Sequence, residues 1–290
     1  MSVQQREDII RSLRPVSWFE VLDRAFELIR QRPSSMLLLS ILSWGPFGVA
    51  LFGWMFYIHY NQSSWGTDAY IIYALPYVLG LPLTIYMYHW SKSAQIYLAY
   101  RWILGDHIQS REALAYTARR PESFLMLGPL YVLSVLVGML FYIAPGAFIV
   151  ARWGMLPAVV AIESESRFFQ PIMRTFRLGE GAGGRLLLLF LFFRGAELLL
   201  WINLLLLKYL ILFVGHNFFG SELSALRELP YSSVLLYWLT LILLAPLKNA
   251  TLAMTYVDSR VRNEGWDLRL WLDLLIGTTS QEVNDAPDAS

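Results

Sequence analysis

Three ionisable residues stand inside long apolar stretches of this sequence: Arg152, Arg194 and Glu197. Charge in an apolar segment is costly, so such residues usually pair with one another or line a path for a polar ligand. At 1.5 Å per helical residue, Arg152 and Glu197 are expected about 9 Å and about 18 Å from opposite faces of an apolar layer about 30 Å thick. We therefore predict one buried cluster of the three residues, serving either as a packing device or as part of a polar path.

Other patterns that could indicate catalysis or ligand binding are weaker. The segment 179–184, GEGAGG, matches the glycine fingerprint G-x-G-x-x-G, but it follows a basic helical stretch instead of a strand, which favours a simple turn. The four histidines fall at positions that are predicted to lie too far apart for one metal site. The sequence has no phosphate-binding loop, nucleophile elbow or zinc-protease motif. We therefore expect no enzymatic activity, no catalytic residue, no cofactor and no metal.

The composition indicates which environment must hold these residues. The chain of 290 residues is 56% hydrophobic and 16% charged, whereas soluble domains are about 45–50% apolar and about 25% charged. The stretches 33–67 and 123–151 contain no Asp, Glu, Lys or Arg, and each exceeds the roughly 20 residues that cross a bilayer as a helix. With no cysteine the chain has no disulfide or thiolate ligand, and a net charge of +1 argues against nucleic-acid binding. The sequence predicts a multi-pass membrane protein.

The apolar pattern predicts an all-α integral membrane protein with six transmembrane helices arranged as three hairpins. Each hairpin is expected to follow a cytoplasmic, interfacial amphipathic helix. We place the turn between the third and fourth spans at Pro145-Gly146. The six predicted spans cover residues 35–59, 69–90, 123–144, 146–163, 186–207 and 231–255.

The polar parts of the chain complete the predicted organisation. Ser17 and Glu20 form a capping-box pattern that predicts the start of the first surface helix, and Pro33 predicts its end. Basic stretches before the third and fifth spans resemble this helix, which favours a diverged internal repeat. The predicted parts are a cytoplasmic N-terminus with a surface helix, the six-helix membrane domain, a juxtamembrane interfacial segment and a disordered tail: residues 1–33, 34–256, 257–278 and 279–290.

The distribution of basic residues predicts the orientation. Nineteen Lys and Arg fall in the N-terminus, the C-terminus and the connections on one side of the predicted spans, against two in the connections on the other side. Cytoplasmic connections are those that carry the excess of Lys and Arg. We therefore expect both termini in the cytoplasm and a multi-pass location in the plasma membrane, with the prokaryotic inner membrane as the expected one.

A charged motif follows the last span, spelling Y-x-D-x-R-x-R-x-E-G-x-D-L. It resembles the end of poorly characterised prokaryotic membrane proteins related to the glycerophosphoryl diester phosphodiesterase membrane domain. The stretches WFEVLDRAFELIRQRP and LPAVVAIESESRFFQPIMRTFRLGEG are similar to that family's entry helix and internal signature. Some relatives carry a fused catalytic domain, for which this chain has no room, so the resemblance implies no phosphodiesterase activity here. The motif residues are Tyr256, Asp258, Arg260, Arg262, Glu264, Gly265, Asp267 and Leu268.

These observations favour a non-enzymatic membrane scaffold or accessory subunit that docks partner proteins or anionic lipid on its cytoplasmic face. Each basic residue near anionic headgroups gains about 1 kcal/mol. The alternating charges from Asp258 to Asp267 are expected to order the C-terminal segment against the inner connections, unless they only solvate a juxtamembrane helix. The alternative function is a small transporter or lipid-handling protein with a polar path at the cluster of Arg152, Arg194 and Glu197.

Overall fold

The computed structural model describes residues 13–61, 69–119, 133, 137, 143–163, 170–219, 232–268 and 272. Within these residues the chain is helical and contains no strand, which confirms the predicted all-α class. The helices are α1 Trp18–Gln31, α2 Pro33–Asn61, α3 Ala69–Ile103, α4 Ser110–Ala118, α5 Ile143–Trp153, α6 Leu156–Ile162, α7 Gln170–Leu178, α8 Gly183–Phe219 and α9 Ser232–Glu264.

Three segments are long and apolar enough to cross a membrane: Pro33–Ala50, Gly183–Gly215 and Ser232–Glu264. They contain or overlap three of the predicted spans, and each forms its backbone hydrogen bonds internally, as a lipid environment requires. The predicted span 69–90 lies in α3, which is 35 residues long. Most of the predicted span 123–144 lies outside the described residues. The number of six spans and the three-hairpin arrangement therefore stay predictions.

The predicted turn at Pro145-Gly146 is wrong, because both residues lie inside α5. The predicted span 146–163 is also not one helix, since the chain turns at Gly154 and Met155 before α6 begins. Pro157 explains the break: proline fits the start of α6 but could not continue α5.

The start of α1 follows from its sequence. Ser17 Oγ accepts a hydrogen bond from the Glu20 N–H group at 3.2 Å, so the predicted N-cap is confirmed. The Glu20 carboxylate instead binds Arg24 at 2.7 Å and Arg14 at 3.3 Å. The hydrogen bond from Arg24 lowers the pKa of this carboxyl group. The helix ends at Gln31, and α2 then begins on Pro33.

Helices α2, α3 and α9 pack together through a buried polar junction. The Gln95 amide of α3 donates to the Met36 carbonyl at 2.8 Å and to Ser40 Oγ at 2.7 Å, and it accepts from Asn249 of α9. Ser91 Oγ also donates to an α2 carbonyl, at 2.6 Å. These contacts show that α2 and α3 run antiparallel. Hydrogen bonds of this kind hold apolar helices together where water cannot compete.

A glycine permits the close approach of α2 and α9 farther along the same helices. A Cβ atom on Gly48 would overlap the ring of Trp238, so a larger residue fits only if that side chain moves. Phe52 lies one turn later, with its ring 5.5 Å from the Trp238 ring. Helices α2 and α9 are therefore in contact at two levels: through the polar junction, and through the packing of Trp238 on Gly48 and Phe52.

The short helices gather at one end of the long ones. Helix α1 packs on the last turns of α9, α4 on α3, α6 on α3, and α7 on both α6 and α9. The first turn of α8 reaches the same place, since Arg185 binds Asp258 of α9. We call this region the polar end: α1, α4, α6 and α7 with the last turns of α3 and α9 and the first turn of α8.

The polar junction gives a test of the helix packing. Gln95→Leu should destabilise the protein by about 1–3 kcal/mol, because it removes the bonds to α2 and leaves the buried Asn249 amide unpaired. Thermal unfolding in detergent measures the change. The double variant Gln95→Leu/Asn249→Leu should lose less than the sum of the two single variants, since neither polar group then remains. A loss equal to that sum would contradict the junction.

Candidate functional site

The Asp258 carboxylate joins three parts of the chain that are distant in sequence. Its oxygens accept from the Val16 N–H group at 2.9 Å, from Arg185 Nη1 at 2.5 Å and from Arg262 Nε at 2.9 Å. Arg262 also donates to the Val16 carbonyl at 2.7 Å, so the N-terminal segment is held by both of its backbone groups. Asp258 is buried, and such a carboxylate is stable only with donors of this kind.

A second carboxylate network lies on the opposite face of α9. Glu163, which follows α6, accepts from Tyr256 Oη at 2.8 Å and from Arg174 Nε at 2.9 Å. Arg174 of α7 reaches on to Glu264 at 2.9 Å, and Arg260 binds the same carboxylate at 3.1 Å. Burial opposes the charge on Arg174, but the bonds to the two glutamates raise its pKa above the ordinary value. This guanidinium therefore stays charged.

Residues at the end of the motif cap the C-terminus of α7 and terminate α9. The Asn263 side-chain amide donates to the Leu178 carbonyl at 3.0 Å and so satisfies the C-terminus of α7. Gly265 has φ +55, a left-handed conformation that ends α9 at low cost only for glycine. Arg260 then lies over the ring of Trp266, 4.5 Å from its centroid. Asp267 is half-buried beside it.

The two networks frame a groove at the polar end, with a volume of about 1030 Å³. Four arginines and two glutamates line it, so the lining carries an excess of positive charge. Arg177 and Glu180 are exposed in it, and among the residues that the structure describes Arg177 forms no ion pair. The charged lining residues are Arg174, Arg177, Arg260, Arg262, Glu180 and Glu264. The arrangement can bind an acidic group but places no nucleophile beside a base.

The predicted cluster inside the apolar stretches forms in part. Arg194 Nη1 and the buried Glu197 are 2.8 Å apart, one helical turn from each other on α8. Lys248 of α9 approaches the same carboxylate at 3.4 Å. Arg152 instead lies over the ring of Phe148, 5.8 Å from its centroid. Among the described residues Arg152 forms no ion pair with a carboxylate.

The position of α5 explains why Arg152 is displaced. The Arg152 carbonyl lies 3.3 Å from a Cβ position on Gly179, and the Ala151 carbonyl lies equally close to Gly183. Arg152 is therefore beside the start of α8, and Glu197 is fourteen positions later, about 21 Å along a helix. The depth that the sequence predicts for Arg152 was counted from a turn at Pro145-Gly146, which the structure does not have.

Sequence reasoning missed several members of both sites. Lys248 was counted with the C-terminal basic residues, although it stands within the apolar part of α9. Arg185 and Arg174 were counted only as orientation signals. Their contacts with the motif could not be predicted from sequence spacing, since Arg185 and Asp258 are 73 positions apart. The isolated Lys248 was the one detectable clue, because a lone cation in an apolar helix predicts a partner.

The described part of the chain offers no group of three or more His, Asp or Glu that could hold a metal ion. Comparisons with protein-family models, with curated proteins and with solved structures returned no match to this chain. The resemblance to the glycerophosphoryl diester phosphodiesterase membrane domain stays a prediction. The site is therefore interpreted from its own geometry.

Asp258→Asn tests the first network. The change leaves Arg185 and Arg262 without their shared carboxylate, so the free energy of unfolding should fall by about 3 kcal/mol. Limited proteolysis should also cut the chain before Val16 more rapidly, because the bond to its N–H group weakens. Asp267→Asn, the same change nine positions later, should alter neither measurement. Equal behaviour of the two variants would contradict the role given to Asp258.

Proposed function

We propose that this protein is a non-enzymatic membrane scaffold or accessory subunit that docks partner proteins or anionic lipid on its cytoplasmic face. The observation that carries the proposal is the arginine-lined groove at the polar end, whose walls are fixed by ion pairs that join α7, α9 and the residue that follows α6. A groove whose walls are already held in place loses little entropy on binding, which favours a docking surface.

The charge within the groove supports docking by an acidic group. Arg174, Arg260 and Arg262 are each paired with a carboxylate of the protein, whereas Arg177 faces the groove with no such partner among the described residues. An acidic segment of a partner, or an anionic headgroup, would complete that arrangement. The first three arginines are then structural, and Arg177 is the one left to recognise the partner.

The topology in this proposal is the one that the sequence predicts. Six spans in three hairpins place the polar end and both termini in the cytoplasm of a prokaryotic cell, with α1, α4 and α7 as interfacial amphipathic helices. The exposed Phe19 and Phe26 of α1 support an interfacial position, because large apolar side chains on a surface helix suit the edge of a bilayer. The proposed location is the plasma membrane.

A transporter or lipid-handling function is the second candidate, and one observation favours the lipid-handling form. A cavity of about 500 Å³ adjoins Arg194 and Glu197 and is otherwise lined mainly by apolar and aromatic side chains of α8 and α9. A path for a polar solute would need polar groups along its length, whereas this lining suits an acyl chain.

Arg177→Glu tests the scaffold proposal. Reversing this charge should reduce recovery of the bound partner by about tenfold or more, equivalent to about 1.4 kcal/mol, while leaving the folded protein intact. Complexes are isolated in mild detergent and identified by mass spectrometry, and thermal unfolding confirms folding. Arg111→Glu, at an exposed position of α4 outside the groove, is the matched control and should retain the same partner. Identical recovery with both variants would refute the proposal.

A further inference from the structure

The charged cluster within the long helices contains more cations than it needs. Glu197 is paired with Arg194 at 2.8 Å and with Lys248 at 3.4 Å. Lys92 of α3 lies close enough for its charge to interact with Arg194, and its Nζ stands 5.8 Å from the ring of Tyr88. Three cations therefore lie near one another, and Glu197 pairs with two of them. No other carboxylate pairs with them in the described ranges.

An excess of two positive charges among apolar helices is costly unless an anion joins them. Arg194 is placed to meet such an anion, since its side chain remains 42% exposed although it is paired with Glu197. Arg194 presents several N–H donors in a planar fork, and the pair with Glu197 leaves some of them free to bind an oxyanion.

A groove leads away from this cluster along α8 and α9. The cavity of about 500 Å³ begins at Arg194 and Glu197 and continues past Leu198 and Trp201. A second cavity of about 270 Å³ follows between the same two helices, lined by Leu204, Leu207, Ile211, Leu235 and other residues. Leu198 lines the first cavity and Leu207 the second, and both are exposed, so the groove opens toward the surroundings of the helices.

The depth of the cluster suits a headgroup. The ring of Trp18 in α1 lies 6.4 Å from the ring of Phe192 in α8, and tryptophans concentrate at the bilayer interface. Arg194 and Glu197 follow Phe192 by two and five positions, about 3–8 Å farther along the helix. A long cationic side chain at this depth can extend to a phosphate at the bilayer surface.

We propose that the groove between α8 and α9 binds one anionic phospholipid. Its phosphate is held by Arg194, with Lys248 and Lys92 adding charge behind it, and one acyl chain lies along the apolar cavities toward Leu207 and Ile211. Membrane lipid is the source of the phosphate because most of the groove is apolar, which a free inorganic anion would not use. This site is separate from the arginine-lined groove at the polar end and extends the function proposed above.

The test uses the full chain in nanodiscs that contain phosphatidylcholine with a minority of phosphatidylglycerol. Native mass spectrometry counts the lipids that remain bound after mild release. The wild-type protein should retain one phosphatidylglycerol that Arg194→Gln/Lys248→Gln retains about tenfold less often, which corresponds to about 1.4 kcal/mol. Arg152→Gln, which removes an arginine outside the cluster, should retain it like the wild type.

Glu197→Gln separates lipid binding from a purely structural ion pair. Removing the one carboxylate increases the excess positive charge, so this variant should retain phosphatidylglycerol at least as often as the wild type. If Glu197→Gln loses the lipid as the double variant does, or if the double variant retains it normally, the proposal is overturned. Thermal unfolding shows that each variant is folded, and the Glu197→Gln result decides the question if the double variant is not.

A competition experiment distinguishes the source of the phosphate. In detergent, a short-chain phosphatidylglycerol should raise the unfolding temperature of the wild-type protein, and inorganic phosphate at the same concentration should not. An equal rise with inorganic phosphate would overturn the lipid assignment, since the apolar groove would then contribute nothing.

Discussion

One buried carboxylate, that of Asp258, holds the polar end together. Burying an ionised carboxylate costs several kcal/mol unless charged and neutral donors surround it. Its donors are the Val16 N–H group, Arg185 and Arg262, and they come from the N-terminal segment, from the start of α8 and from α9 itself. The buried carboxylate is therefore stable only when the N-terminal segment, the start of α8 and the end of α9 lie together.

The packing of α6 and α7 at the polar end depends on the contacts of Asp258. With α1 and α8 fixed against α9, the last turns of α9 are held in place where α6 and α7 can pack on them. A second ion-pair network then joins α6, α7 and α9 through Glu163, Arg174 and Glu264. Because the carboxylates satisfy the arginines deeper in the walls, Arg177 is left facing the groove. A rigid wall and an arginine without an ion-pair partner among the described residues arise from the same set of contacts.

The sequence was sufficient for those features that depend on local physics. Hydropathy predicted the apolar helices α2, α8 and α9, and the Ser17 pattern predicted the N-cap of α1. The i,i+3 spacing of Arg194 and Glu197 predicted their ion pair. The motif from Tyr256 to Glu264 was singled out for its alternating charges, and two of its carboxylates bind arginines elsewhere in the chain.

Features that depend on distant contacts could not be obtained in this way. Val16 and Asp258 are 242 positions apart, and neither residue type specifies the other. Pro145-Gly146 has the composition of a turn, yet both residues are helical in α5, and the composition of the pair alone does not distinguish the two. That single error displaced Arg152 by about 20 Å from the partner expected for it.

The most direct measurement of the role of Asp258 is its coupling with Arg185. Unfolding free energies of the wild-type protein, Asp258→Asn, Arg185→Gln and the double variant form a double-mutant cycle. The structure predicts a coupling energy of about 1–3 kcal/mol, since each residue loses most of its contribution once the other is gone. A coupling energy near zero would show that the two residues act independently and would contradict the account.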